Sequence, residues 1–264
     1  MGKVIAFHSY KGGTGKTLIS ANLAVVLAKE GSDVCILDYD FRAPSQHLLF
    51  KQSPSHWLDE FLLGKCSIAD AIINLTDRSP GGGRLMAGFA NPASDTMRLM
   101  MAMDDRWEIK SLHGTLQAKE ALIGDLKLDY LIFDTAPGMQ LLSANALAVS
   151  DVNVVVTKTD EFDVEGTKEL VRGVYKVLGR KVSMIANRVL EKEAYDVTLR
   201  EELRIRLERR FGVPVIGVIP CYCDLQLHGG TMIHALTEQE HPFIDLIRSI
   251  SKELVRIVSE GGGT

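Results

Sequence analysis

Between Lys11 and Thr17 the chain reads Lys-Gly-Gly-Thr-Gly-Lys-Thr. Gly12, Gly13 and Gly15 free the backbone for angles that a Cβ forbids and for close approach to a ligand. Successive N–H groups of such a loop converge on an anion. A helix starting just after it adds its unpaired N–H groups and its dipole. The Lys16 ammonium is placed to neutralise the β- and γ-phosphates of a nucleotide. The Thr17 hydroxyl is a hard oxygen donor of the kind Mg2+ prefers. The flanks agree, because the apolar run Val4-Ile5-Ala6-Phe7 reads as a buried strand and Leu18 to Lys29 as a helix. Tyr10 stands where a phosphate loop usually has its first glycine, and Lys11 is a second cation such loops do not need.

Two further acids end apolar runs. Cys35-Ile36-Leu37-Asp38-Tyr39-Asp40 closes with carboxylates two residues apart. If the strand continued, both would face one side, and Asp40 would lie near the loop, able to hold a Mg2+-bound or attacking water. Tyr130-Leu131-Ile132-Phe133-Asp134 looks like a Walker B element, with Asp134 binding Mg2+ mostly through water and Thr17. Asn187 closes a third run, Val182 to Ala186.

The Lys11–Thr17 pattern, close to the N-terminus, resembles the deviant phosphate loop of the MinD/ParA family of ATPases, which also lacks the first glycine. The resemblance implies that Lys11 reaches across a dimer interface to the other subunit's nucleotide. Leu18 departs from the family's frequent second Thr and removes a hydroxyl from the α-phosphate. By the same resemblance, Asp40 serves hydrolysis. Asp134-Thr135-Ala136-Pro137-Gly138 is a second switch whose Gly138 N–H senses the γ-phosphate. Asn187-Arg188 recognises the base, a carboxamide being able to pair with adenine's donor and acceptor. Gly217-Val218-Ile219-Pro220 brings backbone against the base. The implied ligands are ATP or ADP and Mg2+. Gly12, Gly13, Thr14, Gly15, Lys16, Thr17, Leu18, Gly138, Asn187, Arg188 and Pro220 hold the nucleotide. Thr17, Asp40 and Asp134 serve the metal, and Lys11, Lys16 and Asp40 serve catalysis. The implied activity is slow ATP hydrolysis by a homodimer formed with ATP, a switch for intracellular positioning or partitioning that acts with an unidentified protein partner or activator.

These groups need strands to present them. Buried strands are expected at Lys3–His8, Val34–Asp38, Arg84–Ala87, Tyr130–Asp134, Val152–Thr157, Val182–Asn187 and Val215–Ile219. Helices are expected at Thr17–Glu30, Trp57–Leu63, Ser67–Leu75, Ser111–Lys127, Phe162–Leu178, Tyr195–Phe211 and Pro242–Ser259. Strands alternating with helices pair in parallel, and doubly apolar runs such as Val152–Val156 are buried on both faces. The expected fold is α/β: a single doubly wound, mostly parallel β-sheet flanked by helices on both faces, the P-loop NTPase fold. One domain over residues 1–260 is expected, with a mobile loop at 78–83 and a disordered tail at 261–264.

The net charge of −4 opposes wholesale coating of nucleic acid. Neither a signal peptide nor a membrane-length apolar run is visible. Cys35, Cys66, Cys221 and Cys223 do not form a disulfide pattern, so a reducing cytoplasm is expected. Cys221-Tyr222-Cys223 reads first as incidental buried cysteines. The alternative is a metal site shared across a dimer in a metalloenzyme-maturation factor, four ligands being needed for a tetrahedral site. Arg200, Arg204, Arg206, Arg209 and Arg210, mixed with Glu201, Glu202 and Glu208, read as a solvated helix face, with a DNA surface as the alternative. Pro242–Ser259 reads as a core helix, with a membrane-surface helix as the alternative. No G-x-G-x-x-G follows the first strand, which disfavours a NAD-linked enzyme. A small-molecule kinase or ligase leaves Lys11 without a task.

Overall fold

The computed structural model describes residues 2–79, 82–103, 105–227 and 231–260. The chain alternates strands and helices in the order β1 Lys3–His8, α1 Lys16–Lys29, β2 Val34–Tyr39, α2 Gln46–Leu49, α3 Leu58–Leu62, β3 Ile72–Asn74, β4 Leu85–Gly88, α4 Ser94–Met101, α5 Asp105–Lys119, β5 Tyr130–Thr135, α6 Leu141–Val149 and β6 Val152–Thr157. There follow α7 Glu161–Leu170, α8 Lys176–Leu178, β7 Lys181–Val189, α9 Val197–Phe211, β8 Val215–Pro220, α10 Cys223–Leu227, α11 His234–Thr237 and α12 Pro242–Ser259. The strands form one sheet in the order β3-β4-β2-β5-β1-β6-β7-β8. All neighbours are parallel except β3, which runs antiparallel to β4.

Alternation along the central strands divides the core into two layers. Ile5 and Phe7 of β1 pack with α1 and α12 on one face. Val4 and Ala6 pack with α5, α6, α7 and α9 on the other. Every residue of β2 and β6 is buried, as doubly covered parallel strands require. The doubly wound architecture therefore holds.

Several elements differ from the sequence expectation: α2, α4, α10 and α11 are helices that were not expected, and the helix expected at 162–178 is split by a π-turn over Val171–Tyr175. Residues 67–75 are not a helix. Ser67 and Asp70 bond each other in a single turn, and Ile72-Ile73-Asn74 then pairs with Met86, Ala87 and Gly88 as edge strand β3. Branched Cβ atoms favour that extended state. The helix expected at 111–127 begins at Asp105 and ends in a π-turn over Glu120–Asp125. Helix α6 was not expected, because Leu-Leu-Ser-Ala-Asn-Ala-Leu-Ala-Val is apolar nearly all round and carries no periodic signal.

Helix α12 has the expected bounds. Pro242 opens it and His241 caps it. Its apolar face, Phe243, Ile244, Ile247, Ile250, Leu254 and Val258, is buried on the sheet, so that face is spent in the core rather than offered to a membrane. No helix among the described residues is long and apolar enough to cross a membrane. The tail at 261–264 lies outside the described residues, as do positions 80 and 81 of the 78–83 loop.

His8 ends β1 beneath the phosphate loop with no exposed surface. The Thr135 hydroxyl donates to the Phe7 carbonyl at 2.8 Å, so His8 Nδ1–H donates to Thr135 Oγ1 at 2.9 Å. Burial, and then the nearby Lys16 charge, push the His8 pKa from 6.5 down to about 3. The unfolded chain therefore takes up this proton first. Stability is lost as pH falls from about 6.5 towards about 3, by roughly 2 kcal/mol at pH 5 for this one group. Urea unfolding of wild type and His8→Gln at pH 7 and pH 5 is expected to show that extra loss in the wild type only. Equal acid sensitivity of the two would rule His8 out as its source.

Candidate functional site: a phosphate loop over a buried Lys–Asp pair

The loop from Ser9 to Gly15 joins β1 to α1 at the carboxyl end of the sheet, where ligands of such sheets bind. Gly13 and Gly15 have φ of +75° and +89°, the left-handed region that glycine alone enters freely. A Cβ on Gly15 would stand 2.3 Å from Asn187 Nδ2. Helix α1 starts at this glycine with no side-chain cap, so its first N–H groups face the cleft without a side-chain acceptor.

Lys16 points inward, 6 % exposed, and its Nζ lies 2.9 Å from Oδ1 of Asp134, which is 1 % exposed. The Gln46 Nε2–H donates to the other Asp134 oxygen at 3.0 Å. Asp38 pairs in register with Asp134 on the adjacent strand. Burial first, and the Asp134 charge second, push the Asp38 pKa up to about 8. The Asp38 carboxylate accepts from the backbone N–H groups of Asp40, Ser45 and Gln46, so it fastens the loop that follows β2.

The two acids of the Asp38/Asp40 pair thus separate. β2 ends at Tyr39, and Asp40 lies beyond it on the loop, where its Oδ1 accepts from Arg42 and Ala43 N–H. They do not share a strand face as the spacing alone implied, because the strand stops first. Asp40 nevertheless lines the cleft.

That cleft has a volume of about 560 Å³. It brings together Gly12, Gly13, Thr14, Gly15, Lys16, Thr17, Leu18, Asp40, Asn187, Arg188 and Pro220, residues drawn from four separate segments. Asn187 Nδ2 donates to the Thr14 carbonyl at 2.7 Å and braces the loop. Only an NH2 can donate to that carbonyl, so the carboxamide's Oδ1 is the atom left to accept from a ligand. Arg188 has φ of +56° at a register shift between β7 and β8, a strained backbone of the sort found at ligand sites.

Three expected site residues are engaged elsewhere, and none of them lines the cleft. Both Asp134 oxygens are taken, by Lys16 and Gln46. The Gly138 N–H donates to the Ser9 carbonyl at 2.9 Å, so contact with a phosphate requires that bond to break. Lys11 does not line the cleft. Its Nζ stands 5.3 Å from the centroid of Phe162 and 5.9 Å from that of Tyr10.

Sequence reasoning missed Gln46, and it missed Tyr222, Leu225 and Phe243, which complete the cleft wall. Tyr222 was visible only as the residue between two cysteines. Those cysteines are not the incidental buried pair expected: Cys221 is half-buried and Cys223 exposed. Among the described residues no group of three or more His, Cys, Asp or Glu side chains could hold a metal, and the maturation-factor alternative gains no support. The arginines of α9 do not form one face either. Arg204 is bonded by Glu201 and Glu208 in the groove against α12, whereas Arg209 and Arg210 line a different groove.

A family profile described as an AAA domain matches residues 2–187. An uncharacterized ATP-binding protein of Methanocaldococcus jannaschii is 31% identical over 223 residues, which cover 83% of this chain and 75% of that one. The septum site-determining protein MinD of Synechocystis sp. is 27% identical over 225 residues, 83% and 76% of the two chains. The chain belongs to the MinD/ParA family of deviant Walker A ATPases. The fold of this family member matches that of the septum site-determining protein MinD of Pyrococcus horikoshii, solved as a complex with Mg-ADP. Its TM-score is 0.76 at 21% identity over 100% of both chains. The family is one of nucleotide- and Mg2+-using P-loop ATPases, and the cleft is built from the residue types that use demands.

Proposed function

We propose that this chain is a Mg2+-dependent ATPase that dimerises around ATP and acts as a slow switch in intracellular positioning or partitioning. The observation that carries the reading is the cleft itself: a glycine loop and a capless helix start above the buried Lys16–Asp134 pair, with Asn187 bracing the loop. Lys16 supplies positive charge at the phosphates, and the loop N–H groups hold them in line for transfer to water. Asp40 orients that water. Thr17 and Asp134, aided by Asp40, are the residues that would hold Mg2+, which would supply further positive charge at the phosphates. The donor set fits, since it is hard oxygen, and Thr17 and Asp40 both line the cleft. Asn187 Oδ1 accepts from an exocyclic amine, which supports adenine over guanine, whose matching edge offers an oxygen.

Lys11 supports the dimer. Its own cleft already has Lys16, and its ammonium lies outside that cleft, so its phosphate is the partner subunit's. The name of the Synechocystis relative supports a positioning role, with a protein partner or activator acting on the ATP-bound dimer. The test is turnover of ATP with and without Mg2+, together with molar mass by light scattering in ATP and in ADP. Expected are slow, Mg2+-dependent turnover and a dimer in ATP. A monomer that leaves ATP intact in both conditions refutes the assignment.

A second observation favours DNA over membrane as the surface such a switch would occupy. Arg172, Lys176, Arg180, Arg209 and Arg210 line one groove of about 630 Å³ that has no carboxylate in its lining, Arg172 and Arg210 being paired with Glu169 and Glu161 outside it. Gel shift on non-specific duplex DNA at 50 mM salt is expected to show binding in ATP that weakens at 200 mM and is lost in Lys176→Glu/Arg209→Glu. Equal retardation of wild type and this variant would exclude the groove as the DNA surface.

A further inference from the structure

The cleft has aromatic lining that a phosphate site alone does not require. Tyr222 follows β8 and lines the cleft with Leu225 and Phe243. Its ring meets His241 edge to face at 5.1 Å and 78°, and Tyr195 at 6.5 Å and 77°. His241 is held at both nitrogens. The Phe243 N–H donates to Nδ1 at 3.0 Å, which puts the ring proton on Nε2, and Nε2–H donates to Asp224 Oδ2 at 2.7 Å. The Tyr195 hydroxyl in turn donates to the Cys221 carbonyl at 2.8 Å. Two other segments, the turn before α9 and the start of α12, therefore converge on one half-buried ring at the exit of β8. A ring fixed in advance binds without a further ordering cost, and an aromatic face stacks on any base. Tyr222 lines the same cleft as Asn187, Arg188 and Pro220, the residues that the nucleotide reading assigns to the base.

We propose that Tyr222 is the platform on which the base of the bound nucleotide lies, and that His241, fixed by Asp224, is the positioning residue that holds the platform. This rests on the nucleotide reading above. Because stacking does not read the base edge, Tyr222 contributes affinity for any nucleotide, and selection among bases is left to Asn187.

The experiment measures displacement of a ribose-labelled fluorescent ADP by ADP, GDP and inorganic pyrophosphate. Tyr222→Ala is expected to bind ADP and GDP each about tenfold to a hundredfold more weakly, with pyrophosphate unchanged. Tyr222→Phe should behave as wild type. His241→Ala should weaken ADP by a smaller factor, about threefold. The double variant should be no weaker than Tyr222→Ala, since His241 acts through that ring. If Tyr222→Ala does not fold, as judged by its melting curve, Tyr222→Leu carries the test, because it keeps bulk and lacks a π face. ADP binding by either variant within twofold of wild type overturns the proposal, as does a parallel loss of pyrophosphate or an additive double variant. Lys16→Ala separates the two readings: if it binds ADP and pyrophosphate like wild type, the nucleotide site itself is wrong.

Discussion

Lys16→Ala is expected to lower ATP turnover at least about 100-fold, the scale seen when one transition-state charge partner is removed from an enzyme site. Lys16 also has a structural partner, so a second effect is expected. Its ammonium lies 2.9 Å from the buried Asp134 carboxylate, and removing one member of such a pair leaves an uncompensated charge costing about 3–5 kcal/mol. Asp38, already pushed up to about 8 by burial and then by the Asp134 charge, would lose the nearby cation as well. The two effects separate by experiment. Adding Asp134→Asn to Lys16→Ala should restore part of the lost stability in urea, because the orphaned charge is gone, and should restore no turnover. Wild-type turnover by Lys16→Ala would sink the assignment. Wild-type stability would show that Asp134 is not held by this lysine.

Lys11→Ala is expected to do something different. ATP should still bind, with an affinity within a few-fold of wild type, whereas the ATP-dependent dimer and turnover should both be lost. The reason is positional. The Lys11 side chain does not line its own cleft and rests over Phe162, which is 80 % exposed, and Tyr10. An exposed cation–π contact is worth about 0.5–1 kcal/mol, so the chain keeps nearly all its stability without it, and melting should barely change. Calorimetric titration with ATP and light scattering in ATP check the two halves. A variant that dimerises and hydrolyses ATP like wild type would remove the role across the interface and leave Lys11 without one.

How legible these residues were depended on how local their signal is. The phosphate loop was readable because glycines, lysine and threonine act within one turn of chain. The central strands were readable because burial on both faces leaves uninterrupted apolar runs. Strand β3 was not, since three edge residues carry little pattern and Ser67 and Asp70 imitate a helix start. Helix α6 escaped for the opposite reason, having too few polar residues to show a period.

Within the site, residue types were evident and their partners were not. The sequence by itself determined a nucleotide-type loop, acids at two strand ends and an amide at a third, because such chemistry is written in short motifs. Only the tertiary structure decided that Lys16 rests on Asp134, 118 positions away, and that Gln46 shares that carboxylate. It likewise divided the Asp38/Asp40 pair into a buried loop fastener and a cleft acid, and made a wall of Tyr222. It left Lys11 outside the cleft. Those outcomes depend on where each strand stops and on which strand lies beside it. The order β2-β5-β1-β6-β7-β8 is set by burying both faces of the whole sheet at once, a condition that no single segment contains.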